Sequence, residues 1–547
     1  MRAGSGLAGF RFPELKKADL ASVLIIFIYC VSYAALRLLV SPSMELDEAE
    51  QFLIGASFHL GYAHQAPLYT WIVWLVSLLS GRGLDMIVLI KYGLLFVFYI
   101  SFYLLARHFL VPGKSLMATG CLLLFPIYSY EANRDLSNTV LVSAMAVIAG
   151  LFFLRLLLGG SRLDYLLFGA SCGLGMLSKY NFVLFLLALL MYGITSAHGR
   201  RIMSDKKIFF SLAAFSGVVL PHAAWLAGNG FPSVQYAYNL SLPWVPKPHS
   251  FLHFLAAVYG EVILFLVVFV LFMGRYFYFL SFRGLFVAKK GGVKKEARPS
   301  PAGVFPALAL YGLAIPLLGI IIFDPAHFQD RWLAPAYFAL PLAGFSLLST
   351  QKMPRVRCLS LGYLCLAIAA IVFAARAVIG FFPDVTGKTE RIHIPYASLA
   401  RQLGAGARKA GIDGLRGLPI IARAADSYIA ANIIADMPGT RYVPLREALR
   451  RPEILDGGGI FISTPGNGSP PGLMALFPET KKETVSSSYL HTHPHSRGLA
   501  YMLDALIILP EKTSGGSPEK TSGGGKTMEA QREANAVRPH TNPERAK

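Results

Sequence analysis

Charge is scarce in this chain, and acidic charge is scarcer than basic. Of 547 residues only 15% are Asp, Glu, Lys or Arg, while 54% are hydrophobic; a soluble domain carries about 25% charged residues. That shortage excludes an ordinary soluble enzyme. Mean hydropathy is +0.51, and apolar runs of about 18–25 residues, the length that crosses a bilayer, recur along the chain. Cysteine is sparse too. The five present, Cys30, Cys121, Cys172, Cys358 and Cys365, all fall inside apolar runs. This excludes a disulfide framework or a thiolate metal site and makes them small buried hydrophobes. The strict apolar–polar alternation of a membrane barrel is missing, so the spans read as helices. The first run lacks a small-residue cleavage site and reads as a retained anchor.

The chain has 51 basic residues against 31 acidic ones, a net charge of +20. Nucleic acid is the obvious partner for such a charge, but the distribution argues against it. Lys16, Lys17, Arg200, Arg201, Lys206, Lys207, Lys289 and Lys290 belong to alternate loops, with many more beside them. The opposite loops hold little more than Arg82, Arg134, Lys179, Lys247 and Arg331. This is the positive-inside pattern. With the apolar runs it predicts a cytoplasmic amino terminus, about eleven spans between residues 20 and 379, and membrane lipids rather than nucleic acid as partners. The pattern survives only if "PLYTWIVWLVSLLSG", residues 67–81, lies at the interface without crossing.

The composition divides the chain into four parts. Residues 1–19 form a cytoplasmic start. Residues 20–384 form a membrane domain whose first outer loop is 42–84. Residues 385–510 alternate amphipathic helix with short apolar strands such as "LPIIAR" and "GGGIFIST", predicting a small extracytoplasmic α/β domain. Residues 511–547 repeat "EKTSGG" and are predicted to be disordered.

Five unusual segments fall on the outer side: "MELDEAEQF" (44–52), "GYAHQAPLYTW" (61–71), "YEANRDLSNT" (130–139), "SKYN" (178–181) and "DPAHFQDRW" (324–332). A charge at a helix centre costs about 2.5–3.5 kcal/mol on insertion scales, so ionisable groups kept beside a membrane usually have a partner or a task. Acids gather in some of these loops and cations in others. That mixture suits a substrate with an anionic phosphate and a hydroxyl to be activated.

Three stretches, "DEAEQFLIGASFHLGYAHQAPLYTWIVWLVSL", "LGMLSKYNFVLF" and "DRWLAPAYFALPL", occur in this order. Together they resemble the GT-C glycosyltransferases, in the branch that includes protein O-mannosyltransferases, lipid A aminoarabinose transferases and rhizobial lipopolysaccharide galacturonosyl transferases. The resemblance covers roughly residues 20–380 and departs at Ala66-Pro67, where many relatives have two prolines. It implies an all-α polytopic GT-C fold of about 11–13 transmembrane helices. The implied reaction passes a sugar from a polyprenyl-phosphate donor to a lipid or glycan acceptor outside the membrane, with inversion by direct displacement. Matching the motif makes Asp47 the catalytic carboxylate and Glu48 its neighbour, which positions it or raises its pKa. Arg134, Asp135, Lys179, Arg331, His64, Gln65 and Tyr69 become the substrate-binding set.

Several of these residues also have a plainer reading: Asp47 could be a solvated loop acid, and Arg134 and Asp135 an exposed ion pair. Asp135 could cap the helix that starts at 136, Lys179 could snorkel, and Arg331 could pair with Asp330. Tyr69 and Trp71 could be interfacial aromatics. Glu261, inside a span, is a functional candidate by position. His491, His493 and His495 could bind zinc, though no further ligand accompanies them. The outer acids could hold a divalent metal, but their spacing singles out no ligand set. A protein O-glycosyltransferase is the nearest alternative. A transporter or flippase is the alternative of another class, and neither an internal repeat nor mid-span charge clusters support it.

Overall fold

In lipid, a run such as "LIIFIYCVSYAALRLL" satisfies its backbone groups only as a helix, and most of the chain is helical. The computed structural model describes residues 16–63, 65–233, 235, 250–273, 301–323, 329–347, 355–386, 390–412, 416–464, 470–477, 480–488 and 500–509. The helices are α1 (Lys17–Val40), α2 (Leu46–Ile54), α3 (Leu68–Ser80), α4 (Leu84–Arg107), α5 (Pro112–Gly120), α6 (Ser137–Leu157), α7 (Arg162–Ser178), α8 (Phe182–Thr195) and α9 (Ala197–Ser204). They continue with α10 (Ile208–Gly228), α11 (Ser250–Met273), α12 (Pro301–Phe323), α13 (Ala339–Leu347) and α14 (Arg355–Phe381). Then come α15 (Tyr396–Lys409), β1 (Pro419–Ala422), α16 (Ser427–Asp436), β2 (Arg441–Pro444), β3 (Gly459–Ser463), β4 (Thr480–Ser488) and β5 (Ala500–Ile508).

Among the described residues, seven helices are long and apolar enough to cross a membrane: α1, α4, α6, α10, α11, α12 and α14. The other predicted spans are shorter or broken. Helix α7 has 17 residues. Helices α8 and α9 meet at a bend of 101°. The run at 115–129 starts as α5, tightens into a 3₁₀ turn at Cys121–Leu124 and widens into a π turn at Ile127–Glu131. Hydropathy averaged over a window sees the apolar run but not its breaks. Helix α3, with 13 residues, is below spanning length, as the charge pattern requires.

Chain contacts define two compact units. One comprises Met1–Leu36, Ser57–Leu79 and Val88–Ala375; the other comprises Arg37–Ala56, Ser80–Ile87 and Arg376–Lys547. The first is called the membrane unit below and the second the acid-loop unit. The composition-based division placed all of 42–84 in the membrane domain, whereas the contacts group 37–56 and 80–87 with the carboxy-terminal residues.

In the membrane unit, Gly169 lets α7 lie directly against α10. A Cβ there would collide with the Ser211 carbonyl, and the Ser211 hydroxyl donates to Tyr165 O at 2.6 Å. The π turn is held from several sides. Its first amide, Ile127 N–H, donates to Glu261 Oε2 at 2.9 Å, so this intramembrane carboxyl satisfies a backbone group at the helix break. Tyr99 donates to Tyr128 O at 2.9 Å and Tyr92 to Asn133 O at 3.2 Å. A π turn inside a helix often marks a functional region.

In the acid-loop unit the sheet order is β2-β1-β3-β5-β4. β1 pairs in parallel with β2 and β3, and β5 runs antiparallel to both β3 and β4. β1 and β3 are buried throughout, as expected where both faces of a sheet are covered. Ile421, Val443, Leu449, Phe461, Leu473 and Leu506 share its core.

Candidate active site

The acid-rich segment folds as α2, with Glu45 at its N-cap and Asp47 and Glu48 in its first turn. A helix N-terminus favours ionised carboxylates. Glu48 is 0% exposed and pairs with Arg37, itself 3% exposed. The pairing is a fork: Nε to Oε1 at 3.1 Å and Nη2 to Oε2 at 2.6 Å. Arg37 also donates to the carbonyls of Ser41 and Ser43, at 3.0 and 2.6 Å. Glu48 Oε2 accepts from Glu45 N–H at 2.9 Å. One guanidinium thus ties the end of α1, the turn after it and the start of α2 into a single piece. The far end of α2 is held by Arg82, whose guanidinium lies 5.2 Å from the Phe52 ring centroid.

The carboxylates of this loop have different surroundings. Glu45 is 4% exposed. Burial, reinforced by the nearby Glu390 and Glu48 carboxylates, pushes its pKa up to about 7. Glu390 is itself paired with Arg376 at 2.8 Å, and its N–H donates to His393 Nδ1 at 2.8 Å. Asp47 is half-buried, the least buried of the three acids at the head of the helix.

In the membrane unit several of the predicted binding residues converge on the start of α6. Gln65 Oε1 accepts from Asn138 Nδ2 at 2.7 Å, and Gln65 Nε2 donates to Thr70 at 3.0 Å. Lys179 Nζ donates to Thr139 Oγ1 at 2.8 Å. Asn181, two residues on, donates to Trp332 O at 2.9 Å and to Arg331 O at 3.4 Å. The "QAP", "LSNT", "SKYN" and "QDRW" segments therefore form one hydrogen-bonded group. Gly175 keeps the "SKYN" turn tight, since a Cβ there would strike the Phe182 ring. Leu136, just before α6, takes a left-handed φ of 59°, a conformation rare for a branched side chain. Tyr69 is fully buried, which does not fit the interfacial-aromatic alternative.

Two of the plainer readings change. Asp135 does not cap the next helix: Leu136 holds the N-cap position, with no side-chain hydrogen bond. Asp135 is buried instead, and Arg134 pairs with Glu131 at 2.9 Å. The Arg331 guanidinium donates to Gln329 Oε1 at 2.7 Å, while Asp330 accepts the Arg331 backbone N–H. His64, residues 324–328 and the three histidines at 491, 493 and 495 lie outside the described residues. Among the described residues no cluster of three or more His, Cys, Asp or Glu is arranged to hold a metal ion.

The chain is similar to several known proteins. Residues 64–225 match the family described as dolichyl-phosphate-mannose-protein mannosyltransferase. The lipopolysaccharide core galacturonosyltransferase RgtB of Rhizobium johnstonii is 29% identical over 451 residues, covering 80% of this chain and 84% of that protein. The chain is a membrane glycosyltransferase with a GT-C fold. A second galacturonosyltransferase of that organism, RgtA, is 28% identical over 434 residues, covering 76% of this chain and 80% of that protein. The fold is shared with ArnT from Cupriavidus metallidurans, in its crystal structure bound to undecaprenyl phosphate. The TM-score is 0.55 at 13% identity, with 92% of this chain and 98% of that chain covered.

The family match in this glycosyltransferase includes Gln65, Tyr69, Arg134, Asp135 and Lys179 but begins after α2. The groups that hold α2 were also hidden from sequence reasoning. Arg37 lies in the last turn of the first apolar helix and passes for part of the span. Its signal is a charge inside an apolar run, eleven positions before the buried Glu48. Lys91 gives the same signal: it sits within α4, fully buried, its Nζ 5.7 Å from the Tyr92 ring centroid.

Proposed function

We propose that this glycosyltransferase transfers a hexuronic acid, galacturonic acid in the first instance, from a polyprenyl-phosphate donor to the lipopolysaccharide core. The reaction takes place on the periplasmic face of the inner membrane. The observation that supports the reading is the contrast at the head of α2: Glu45 and Glu48 are buried, whereas Asp47 between them is partly accessible. Asp47 is the general base. It takes the proton of an acceptor hydroxyl as that oxygen attacks the anomeric carbon. The bond from that carbon to the phosphate oxygen breaks, and polyprenyl phosphate leaves with the electron pair. A single displacement inverts the anomeric centre.

The leaving phosphate gathers negative charge, which cations stabilise when they are already in place. The resemblance assigns that role to Lys179 and Arg331. Glu48 keeps the base in position through Arg37. The relatives act on lipopolysaccharide core, and this chain aligns with most of their length; that alignment supports the same acceptor here. To test it, the gene is deleted in its native host, and core glycans are compared by mass spectrometry after complementation with wild type or Asp47→Asn. The expected result is loss of one uronic acid mass, restored by wild type and not by the variant. Full restoration by Asp47→Asn would remove Asp47 from the mechanism.

A further inference from the structure

The turn that leads into α2 is held by residues more than three hundred positions away. Ser43 Oγ donates to Ile394 O at 2.8 Å, and Ser41 Oγ donates to Ile392 O. The tightest hold is on Met44. Its backbone N–H donates to Asn432 Oδ1 at 2.7 Å, and its carbonyl accepts from Asn432 Nδ2 at 3.3 Å. Asn432 is 2% exposed and Met44 1% exposed. The same Nδ2 also donates to Tyr428 O at 2.9 Å, one turn earlier on α16, so the amide is fixed to its own helix while it grips the turn. Helix α16 packs along α2.

A side-chain amide that satisfies both backbone groups of one residue replaces the pairing a strand neighbour would give. At a buried site, losing it leaves two backbone groups unpaired. Met44 immediately precedes the N-cap and lies three residues before Asp47. Arg37 fixes the inner side of the first turn through Glu48, and Asn432 fixes the backbone on which that turn begins. We propose that Asn432 is a positioning residue for glycosyl transfer, a member of the carboxy-terminal α/β sheet region that sets the direction of the Asp47 carboxylate. The inference rests on the reading of Asp47 as the base. Small misplacements of a catalytic group lower the rate of the chemical step rather than ground-state binding.

The test uses the purified full-length protein in nanodiscs, with undecaprenyl-phosphate galacturonate as donor and core lipopolysaccharide from the deletion strain as acceptor. Asn432→Ala is expected to lower kcat roughly tenfold or more while KM for the donor stays within about twofold. Asn432→Asp keeps an acceptor for the Met44 N–H but loses the donor to its carbonyl, and is expected to fall between. If Asn432→Ala does not fold, Asn432→Asp carries the comparison. Ile433→Ala, a core truncation at the next position of α16, controls for helix destabilisation and is expected to lower Tm with kcat nearly unchanged. A kcat for the Asn432 variants equal to wild type, with Asp47→Asn inactive, would overturn the positioning role alone. A fall in kcat for Ile433→Ala as large as that for Asn432→Ala would also overturn it. Wild-type activity in Asp47→Asn would overturn the reading on which it rests.

Discussion

Two sets of charged residues, one in each unit, are held in different ways, although buried pairs such as Arg107–Asp19 occur in the membrane unit as well. In the acid-loop unit, Glu48 meets the full charge of Arg37 in a fork with almost no solvent exposure, and Glu390 meets Arg376. In the membrane unit, Lys179 is bonded to the hydroxyl of Thr139 and Arg331 to the amide of Gln329. A cation beside a hydroxyl or an amide keeps its field; a cation forked onto a carboxylate does not. Arg37 and Arg376 hold the shape of the acid-loop unit, whereas Lys179 and Arg331 have neutral groups among their partners. On the proposed mechanism, displacement at a phosphate ester needs a rigidly placed base and positive charge that stabilises the leaving group.

The comparison breaks most sharply at Asp47. Asp47→Asn preserves size and the helix start but cannot take a proton. It is expected to reduce transfer by about 10²–10⁴-fold, the usual share of a general base, with Tm unchanged. Transfer of labelled uronic acid by the purified variant checks this.

Next in size is Arg37→Ala. It leaves Glu48 buried and unpaired, at a cost of roughly 3–5 kcal/mol, and is expected to give a large drop in Tm or loss of folded protein. The double variant Arg37→Met/Glu48→Leu replaces the ion pair with apolar volume and is expected to recover most of that stability. It is not expected to recover kcat, because the guanidinium bonds to Ser41 and Ser43 are gone. Recovery of both would show that the pair has no part in placing the base.

Glu45 gives a pH signature to the same unit. Its folded pKa, about 7, lies above the ordinary value of 4.5. An acid whose pKa rises on folding binds protons more tightly in the folded state, so it weakens stability as pH increases. The cost is absent below pH 4.5, grows between pH 4.5 and about 7, and is constant above. Glu45→Gln removes it. The variant is expected to exceed wild type by about 1–3 kcal/mol at pH 8 and to differ little at pH 4.5, read as Tm shifts at the two pH values. An equal gain at both would assign the effect to something other than this titration.

How much of this could be read in the sequence depends on whether the signal was local. The acid cluster at 44–50 stood out because acids are rare in so apolar a chain, and short apolar runs marked β1 and β3. The binding segments were recognisable one by one, but their convergence on the start of α6 is tertiary: no spacing rule links Gln65 to Asn138 or Lys179 to Thr139. Arg37 was hidden because a span swallows a single charge at its end. Asn432 was hidden because an asparagine inside an amphipathic helix has no pattern that points to residue 44. The run at 115–129 is apolar throughout and hides its breaks, because they involve backbone groups satisfied by Glu261 and Tyr99 from other helices.

The smallest expected effect is also the one that tests the membrane unit alone. Lys179→Met removes the ammonium and keeps the stem. Thr139 loses one neutral-partner hydrogen bond, worth about 1 kcal/mol or less at a half-buried position, so Tm is expected to move little. If Lys179 meets the donor phosphate, KM for the polyprenyl-phosphate sugar rises roughly tenfold, about 1.4 kcal/mol of lost binding, and Lys179→Arg regains part of it. A residue that merely anchors the helix end to the interface predicts the reverse ordering: KM unchanged in both variants, and any loss appearing in membrane insertion and yield. The ratio of the KM change to the Tm change thus separates a charge held for a substrate from a charge held for the fold, the distinction already drawn between Lys179 and Arg37.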